Sequence, residues 1–356
     1  MHRELEQPIP LNLPSVSCWR EIPIQEGGEL LVPLGPFSPN FEIFTRSIYG
    51  GEGNESPYMD KPLGGNLITM FVREKVASQL QSAQSLLPGG MHFVVFDTYR
   101  PLTVQQSLFD KYFGDLKSQH PDWKEEDLLT ETQKYVSVPS HDLTKPSPHN
   151  TGGSVDLAIY QLPIDIDFAV IEVVDKLHLL NDHPWEEAYK LEMEMIAMIK
   201  QNARMLDFGI PFDWGGEEAA LNYFERLGQN RELTPEEIVA RDNRRLLYNV
   251  MVSAGFEPFE SEWWHYNDPK TQMGARTAGL PFAEYGAINL SPANFRHETM
   301  RRGHWLGTNR MAGRTRREFG PTRFMPFAFE EAFRAARVTG DLRKSSLPEA
   351  SVISPS

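Results

Sequence analysis

Apolar residues recur at helical spacing between Leu67 and Leu87, where Val76, Leu80, Ala83 and Leu87 share one face and Pro88-Gly89-Gly90 ends the run, so the pattern predicts a helix over 67–87. Phe93-Val94-Val95-Phe96 follows as a short β-branched and aromatic run, the signature of a buried strand, and Asp97-Thr98-Tyr99-Arg100-Pro101 breaks out of it. A polar cluster therefore stands at a strand end. A helix is expected from about Leu102 to Leu116, then a solvated connection marked by Pro121-Asp122 and the acidic run Glu125-Glu126-Asp127. Val155 to Tyr160 reads as a second strand.

The stretch from about Pro163 to Ala203 is mostly helical by pattern, with Leu191, Met195, Met198 and Ile199 on one stripe, which reads as core. Thr234-Pro235-Glu236-Glu237 has an N-cap threonine, proline at the first helical position and glutamate at the third, the start of a helix that runs to about Ala254 before Gly255 stops it. Phe256 to Tyr266 alternates enough to predict a strand. Residues 1–65, rich in proline and glycine, suggest short strands and loops, and after Pro269 only a short helix around Phe329–Val338 is expected before a frayed end. Helices and strands separated by long, varied segments, with no internal repeat, favour an α+β domain over a doubly wound parallel sheet.

A chain of 356 residues fits one large domain, alone or with extensions. No run approaches the ~18 consecutive apolar residues of a membrane span. The net charge of −14 disfavours nucleic acid and anionic membranes as partners, because both are polyanions. One region departs from that balance: Arg296 to Arg323 includes Arg301, Arg302, Arg310, Arg314, Arg316 and Arg317, read as a solvated surface or a tail. A single cysteine, Cys18, excludes an internal disulfide and a thiolate zinc cluster. With acids and prolines at the N-terminus where an export signal would be basic and then apolar, a cytoplasmic setting is expected.

The candidate chemistry lies in two blocks. Ser147-Pro148-His149-Asn150-Thr151-Gly152-Gly153-Ser154-Val155-Asp156 places an imidazole in a polar loop and a carboxylate seven residues later inside an apolar strand, where an unpaired charge would be costly. A divalent metal would supply the partner. In Glu262-Trp263-Trp264-His265 the histidine can complete two-nitrogen, one-oxygen zinc ligation and leave a fourth position for water, and Glu262 can take that water's proton and pass it to a leaving amine. On an ideal strand Glu262 and His265 point to opposite faces, so they converge only through a bulge or strong twist. Taken singly, a histidine beside glycines is more often structural, and the tryptophans more often core; the combination carries the reading. His92, His120, His141, His178, His183, His297 and His304 lack a comparable carboxylate context. Arg100 is either a donor to a developing oxyanion or substrate carboxylate, or a salt-bridge partner of Asp97.

These blocks resemble the zinc D-alanyl-D-alanine dipeptidases of the vancomycin-resistance type. Asp97 to Pro101 is similar to the family's Asp-Gly-Tyr-Arg-Pro, Ser147 to Asp156 to its Ser-x-His-x-x-Gly-x-Ala-x-Asp motif, and Glu262-Trp263-Trp264-His265-Tyr266 to its Glu-Trp-Trp-His-Tyr block. The likeness continues through Phe212-Asp213-Trp214, Asn243-Arg244-Arg245-Leu246 and Gly255-Phe256-Glu257. It implies one zinc ion on His149, Asp156 and His265, Glu262 as base, Arg100 as transition-state electrophile, and Asp213, Ser147 and Tyr99 as substrate contacts, although Asp213 could instead be a cap or a surface acid. It also implies a small, mostly antiparallel sheet packed with helices, the hedgehog-like fold of the zinc DD-peptidases. The organisation expected is an N-terminal extension over 1–40, a catalytic domain over 41–274 with a helical insertion at about 165–203, and a basic, partly disordered extension over 275–356. The additions could reshape the pocket mouth or form a homo-oligomer contact.

Two departures bear on selectivity: Ser154 stands where the family has alanine, which should be tolerated, and Pro148 removes a hydroxyl and a backbone donor beside His149. The expected activity is hydrolysis of a short peptide, D-Ala-D-Ala foremost. A DD-carboxypeptidase or other small-peptide amidase is the enzymatic alternative, and a zinc-stabilised binding or scaffolding protein the non-enzymatic one.

Overall fold

The computed structural model describes residues 5–53, 56–180 and 185–311. Its centre is a mixed sheet in the order β2 (Phe44–Thr45), β4 (Met91–Asp97), β5 (Ser154–Gln161), β8 (His265–Asn267), β7 (Glu257–Pro258), with β6 (Arg204–Met205) pairing with the far end of β5. Only β2 and β4 run parallel; the other pairs are antiparallel. A separate two-stranded ribbon joins β1 (Leu31–Leu34) to β3 (Met70–Arg73). This is the α+β class expected from the pattern, with a sheet that is mixed and mostly antiparallel.

Every residue of β5 from Ser154 to Tyr160 is buried, and so are Phe93 to Asp97 of β4, because helices and loops cover both faces of these central strands. The helices are α1 (Glu74–Gln84), α2 (Leu102–Gln119), α3 (Glu125–Tyr135), α4 (Ile164–Leu179), α5 (Trp185–Asn202), α6 (Tyr223–Asn230), α7 (Pro235–Ser253), α8 (Gln272–Thr277) and α9 (Pro292–Met311). One continuous core joins Val76 and Leu80 of α1, Leu247 and Met251 of α7, the β4 and β5 runs, and Trp263, Trp264 and Tyr266. The stripe on α5 meets this core as its spacing requires: Met195 and Ile199 are buried, and Leu191 and Met198 pack against it. The start of α7 is the capping box written in its sequence, with Thr234 accepting from the Glu237 N–H and Glu237 reaching back to the Thr234 N–H.

Three expectations change. The helix over 67–87 is in fact strand β3 followed by α1: Met70-Phe71-Val72 pairs with β1, and the helix begins only at Glu74. The β-branched and aromatic run outweighed the helical spacing that continues after it. The acidic run Glu125-Glu126-Asp127 is the first turn of α3, where carboxylates meet the positive end of the helix dipole. Phe256 to Tyr266 is no single strand but a hairpin, β7 and β8 joined through residues 259–264, with the Phe259 N–H donating to the His265 carbonyl.

The basic segment also differs where it is described. In α9 Arg301 is buried against Glu52 at 3.3 Å, and Arg302 bonds Glu298 at 2.8 Å. Glu298 in turn accepts the N–H groups of Ile68 and Thr69 as the chain enters β3. Arg301 faces inward because the buried Glu52 carboxylate compensates it, while Arg302 stays about one-third exposed. Arg314, Arg316 and Arg317 and the expected helix at Phe329–Val338 lie outside the described residues, as does His183. Among the described residues, no helix is long and apolar enough to cross a membrane.

Candidate metal and catalytic site

A register shift in β4 builds the site. Strands β4 and β5 pair regularly up to Val95 opposite Leu157, and then Asp97, not Phe96, stands opposite Asp156. The extra residue in β4 is a bulge, and it turns the Asp97 carboxylate to the same side as Asp156. Across the next strand pair, Asp156 stands opposite His265. Asp97, Asp156 and His265 therefore form one row across three adjacent strands, all buried. Two carboxylates in facing positions repel unless a cation lies between them.

His149 joins the row from outside the sheet. It sits in a single 3-10 turn, Pro148–Thr151, that ends at Gly152 in the left-handed region (φ 70°). The positive φ favours glycine there, and a Cβ would also lie 2.3 Å from Leu31 Cδ2 and push that side chain aside. The turn is fastened to the end of β4 and to β3: the Arg100 N–H donates to the His149 carbonyl at 3.1 Å, and the Arg73 N–H to the Gly152 carbonyl at 2.9 Å.

The two imidazoles are oriented by their outer nitrogens. His149 Nδ1 lies 2.8 Å from the Thr98 carbonyl and His265 Nε2 lies 3.2 Å from Asn267 Oδ1. Both partners are acceptors, so each outer nitrogen carries the proton and each inner nitrogen presents a lone pair. The inner atoms converge: His149 Nε2 and His265 Nδ1 are 3.1 Å apart, His265 Nδ1 is 2.9 Å from Asp156 Oδ1, and His149 Nε2 is 3.4 Å from Asp156 Oδ2. Two nitrogens and a carboxylate within 4.8 Å of one another in a buried place could hold a metal ion, and this donor set suits zinc. Burial would lower the His265 pKa and raise that of Asp156, yet their mutual contact, with His149 beside Asp156, raises the first and lowers the second.

Asn267 holds this arrangement from behind and was not singled out in the sequence, although it follows His265 by only two residues. Its Oδ1 also accepts from Ser154 Oγ at 2.7 Å, so the serine in the family's alanine position pins the amide that fixes His265. Outer partners of this kind typically govern metal affinity about 10–100-fold. Asn267→Ala is therefore expected to weaken zinc binding by about that factor, with Asn267→Asp restoring most of it, as read by competition with a chromophoric chelator; equal affinity in the alanine variant would remove Asn267 from this role.

Glu262 sits in the β7–β8 connection, so convergence with His265 needs neither a bulge nor extra strand twist. Its Oε2 lies 3.9 Å from His265 Nδ1. The adjoining tryptophans fix the loop: Trp263 stacks on Phe208 with ring centroids 4.1 Å apart, and Trp264 packs against Phe212. Burial, opposed by His265 and reinforced by the carboxylates of Asp156 and Asp213, pushes the Glu262 carboxyl up to about 7. With 27% of the side-chain surface still open, it meets both the metal ligands and the solvent of the cleft.

That cleft has a volume of about 330 Å³ and is lined by Glu262, Asp213, Trp214, Tyr58, Tyr112 and Trp264 among others. Asp213 has φ +64°, a conformation rare outside glycine. Tyr58 donates to its Oδ2 at 2.7 Å. The surrounding protein pushes the Asp213 carboxyl up to about 6 against this bond and the Arg100 charge, while its open face to solvent tempers that push.

Arg100 lies behind the centre. Its Nε and Nη2 both reach Asp97 Oδ2 (2.8 and 2.6 Å), Nη1 donates to Gln105 at 2.9 Å, Nη2 to Tyr49 at 3.0 Å, and Nη2 is 3.6 Å from Asp156 Oδ2. The salt bridge to Asp97 thus exists, and it places a fixed positive charge between the two facing carboxylates. Ser147 and Tyr99 do not line the cleft. Tyr99 packs into a second apolar cluster with Leu31, Phe71 and Leu290, and Ser147 is folded inward at the start of the 3-10 turn, its buried hydroxyl unbonded among the described residues. Tyr49, Tyr58 and Gln105 left no signal in the sequence; the tyrosines come from the glycine-rich segment that offered only short strands and loops.

Among the described residues the other histidines lie away from the centre: His92 with Asp167 at 2.6 Å, His178 with Glu42 at 2.7 Å, His304 with Tyr189 at 2.7 Å, His120 stacked on Trp123, and His297 buried beside Phe71, while His141 is exposed.

Comparison with known proteins agrees with the geometry. Residues 197–281 match the family model described as D-ala-D-ala dipeptidase, a span that holds Asp213, Glu262 and His265 but neither His149 nor Asp156. The chain is 25% identical over 269 residues to the D-alanyl-D-alanine dipeptidase of Synechocystis sp., covering 69% of this chain and 84% of that protein. The resemblance drawn from the sequence blocks is borne out by both, and both support a peptidase of the dipeptidase type.

Proposed function

We propose that this protein hydrolyses free dipeptides in a zinc-dependent reaction, D-Ala-D-Ala being the first substrate to test. The observation that carries the reading is the placing of Glu262 Oε2 3.9 Å from His265 Nδ1, between a three-residue donor set and an open cleft. A divalent cation on His149 Nε2, His265 Nδ1 and an Asp156 oxygen would acidify water and polarise the scissile carbonyl.

The chain's own groups do the rest. Glu262 takes a proton from the attacking water at its carboxylate and returns it to the departing amine, a task suited to a carboxyl whose pKa lies near neutrality. Arg100, permanently charged and locked by Asp97, Gln105 and Tyr49, contributes a fixed positive potential where negative charge develops on the carbonyl oxygen. Asp213 offers a carboxylate to the substrate ammonium: Tyr58 occupies Oδ2, and Oδ1 has no partner among the described residues.

The test is alanine release from D-Ala-D-Ala, L-Ala-L-Ala and N-acetyl-D-Ala-D-Ala by zinc-loaded protein, with and without a chelator. Chelator-sensitive cleavage of the free dipeptides is expected. Cleavage of the acetylated substrate alone would move the activity to carboxypeptidase, and no cleavage despite bound zinc would refute the reading.

A further inference from the structure

The cleft is larger than dialanine needs. At ~30 Å³ of liquid per water, its volume of about 330 Å³ corresponds to roughly eleven waters, at the lower end of the range of pockets that hold ligands well above a dialanine in size. Its walls join Glu262 to Asp213, Trp214 and the loop at 215–217, whereas the void beside Arg100 measures about 10 Å³.

Trp214 is the unexplained feature of this wall. The residue is 51% exposed, next to a carboxylate and with no ring partner among the described residues, whereas Trp263 and Trp264 are buried. Leaving such a surface in water costs apolar burial that a ligand can recover. The backbone favours the position: the left-handed turn at Asp213 leads directly into Trp214, and Gly216 leaves room for the indole, since a Cβ there would lie 2.7 Å from Trp214 Nε1.

We propose that this part of the cleft is a subsite for the side chain of the substrate's amino-terminal residue, with Trp214 as its platform, and that dipeptides with an aromatic or large aliphatic first residue are preferred over dialanine. This rests on the dipeptidase reading and on Asp213 as the ammonium anchor. The anchor also decides what fills the space. A peptide extended at its amino end would set a neutral amide against Asp213 and leave that carboxylate without a counter-ion, whereas a free ammonium keeps it paired and leaves only the side chain to enter the subsite.

The experiment compares kcat/KM for D-Phe-D-Ala, D-Ala-D-Ala and N-acetyl-D-Phe-D-Ala on zinc-loaded full-length protein, repeated in the L,L series. It adds equilibrium binding of the same peptides to Glu262→Gln by calorimetry. The free phenylalanyl dipeptide should exceed dialanine by about tenfold or more in both measurements, in line with the weight of added apolar groups in a fitting pocket. Trp214→Ala should collapse that ratio towards one, and Trp214→Phe should restore most of it. Preference for dialanine in the wild type, or a ratio unmoved by Trp214→Ala, overturns the subsite while leaving the dipeptidase reading intact. Preference for the acetylated peptide overturns it too, since the space would then hold main chain. No cleavage of any dipeptide by zinc-loaded protein overturns both.

Discussion

Glu262→Gln is expected to lower kcat by about 10²–10⁴-fold while zinc content stays at one per chain. The amide keeps the size and hydrogen-bonding reach of the carboxylate but cannot accept the proton. The Trp263 and Trp264 anchors that hold the loop are untouched, so the fold should survive. The wild type should show the matching pH dependence. Glu262 must be ionised to act, and its pKa is raised to about 7, so kcat/KM should increase with pH and level off above neutrality. A bound divalent cation favours the carboxylate, so this acid limb belongs at or below pH 7. Parallel zinc analysis and pH-rate profiles check both points. Turnover in the glutamine variant within a few-fold of wild type would remove Glu262 as the base, and the pH limb would then need another owner.

Arg100→Lys should be nearly as damaging, with kcat reduced about 10²–10³-fold and little change in KM. Lysine keeps the charge but not the planar fork that joins Asp97, Gln105 and Tyr49 at once. The positive charge would then lose its fixed place 3.6 Å from Asp156. Arg100→Ala goes further, because Asp97 and Asp156 face each other across β4 and β5 and one of their counter-charges disappears. Breaking a buried pair of this kind typically costs about 3–5 kcal/mol, so the alanine variant should also unfold at clearly lower temperature. Steady-state kinetics and thermal unfolding separate the two effects. A lysine variant with wild-type kcat would reduce Arg100 to a structural salt bridge.

The amino-acid sequence by itself determined the kinds of group at the centre. A carboxylate amid Val155 and Leu157, a histidine before paired glycines, and a glutamate three residues ahead of a histidine are local facts, and their chemistry follows from residue type. The same holds for elements whose signals are local, such as the capping box at Thr234, the apolar stripe of α5 and the buried run of β5. Where two local signals competed, reading along the chain misjudged the result, as with the strand β3 inside an expected helix. The expected strand at 256–266 failed for a related reason, since alternation cannot reveal that a chain turns back on itself.

Only the tertiary structure decided how these groups face one another. The bulge that sets Asp97 opposite Asp156 depends on strand register, and register is fixed by packing across the sheet, not by the sequence of either strand alone. The tautomers of His149 and His265 depend on acceptors supplied by Thr98 and Asn267 once the loop and strands have met. Tyr58 reaches Asp213 across 155 residues of chain, and Tyr99, a neighbour of Arg100 in sequence, ends in a different apolar cluster. Residue type carries chemistry locally, but distance, orientation and charge balance arise from contacts between segments far apart in the chain, and no periodicity records those.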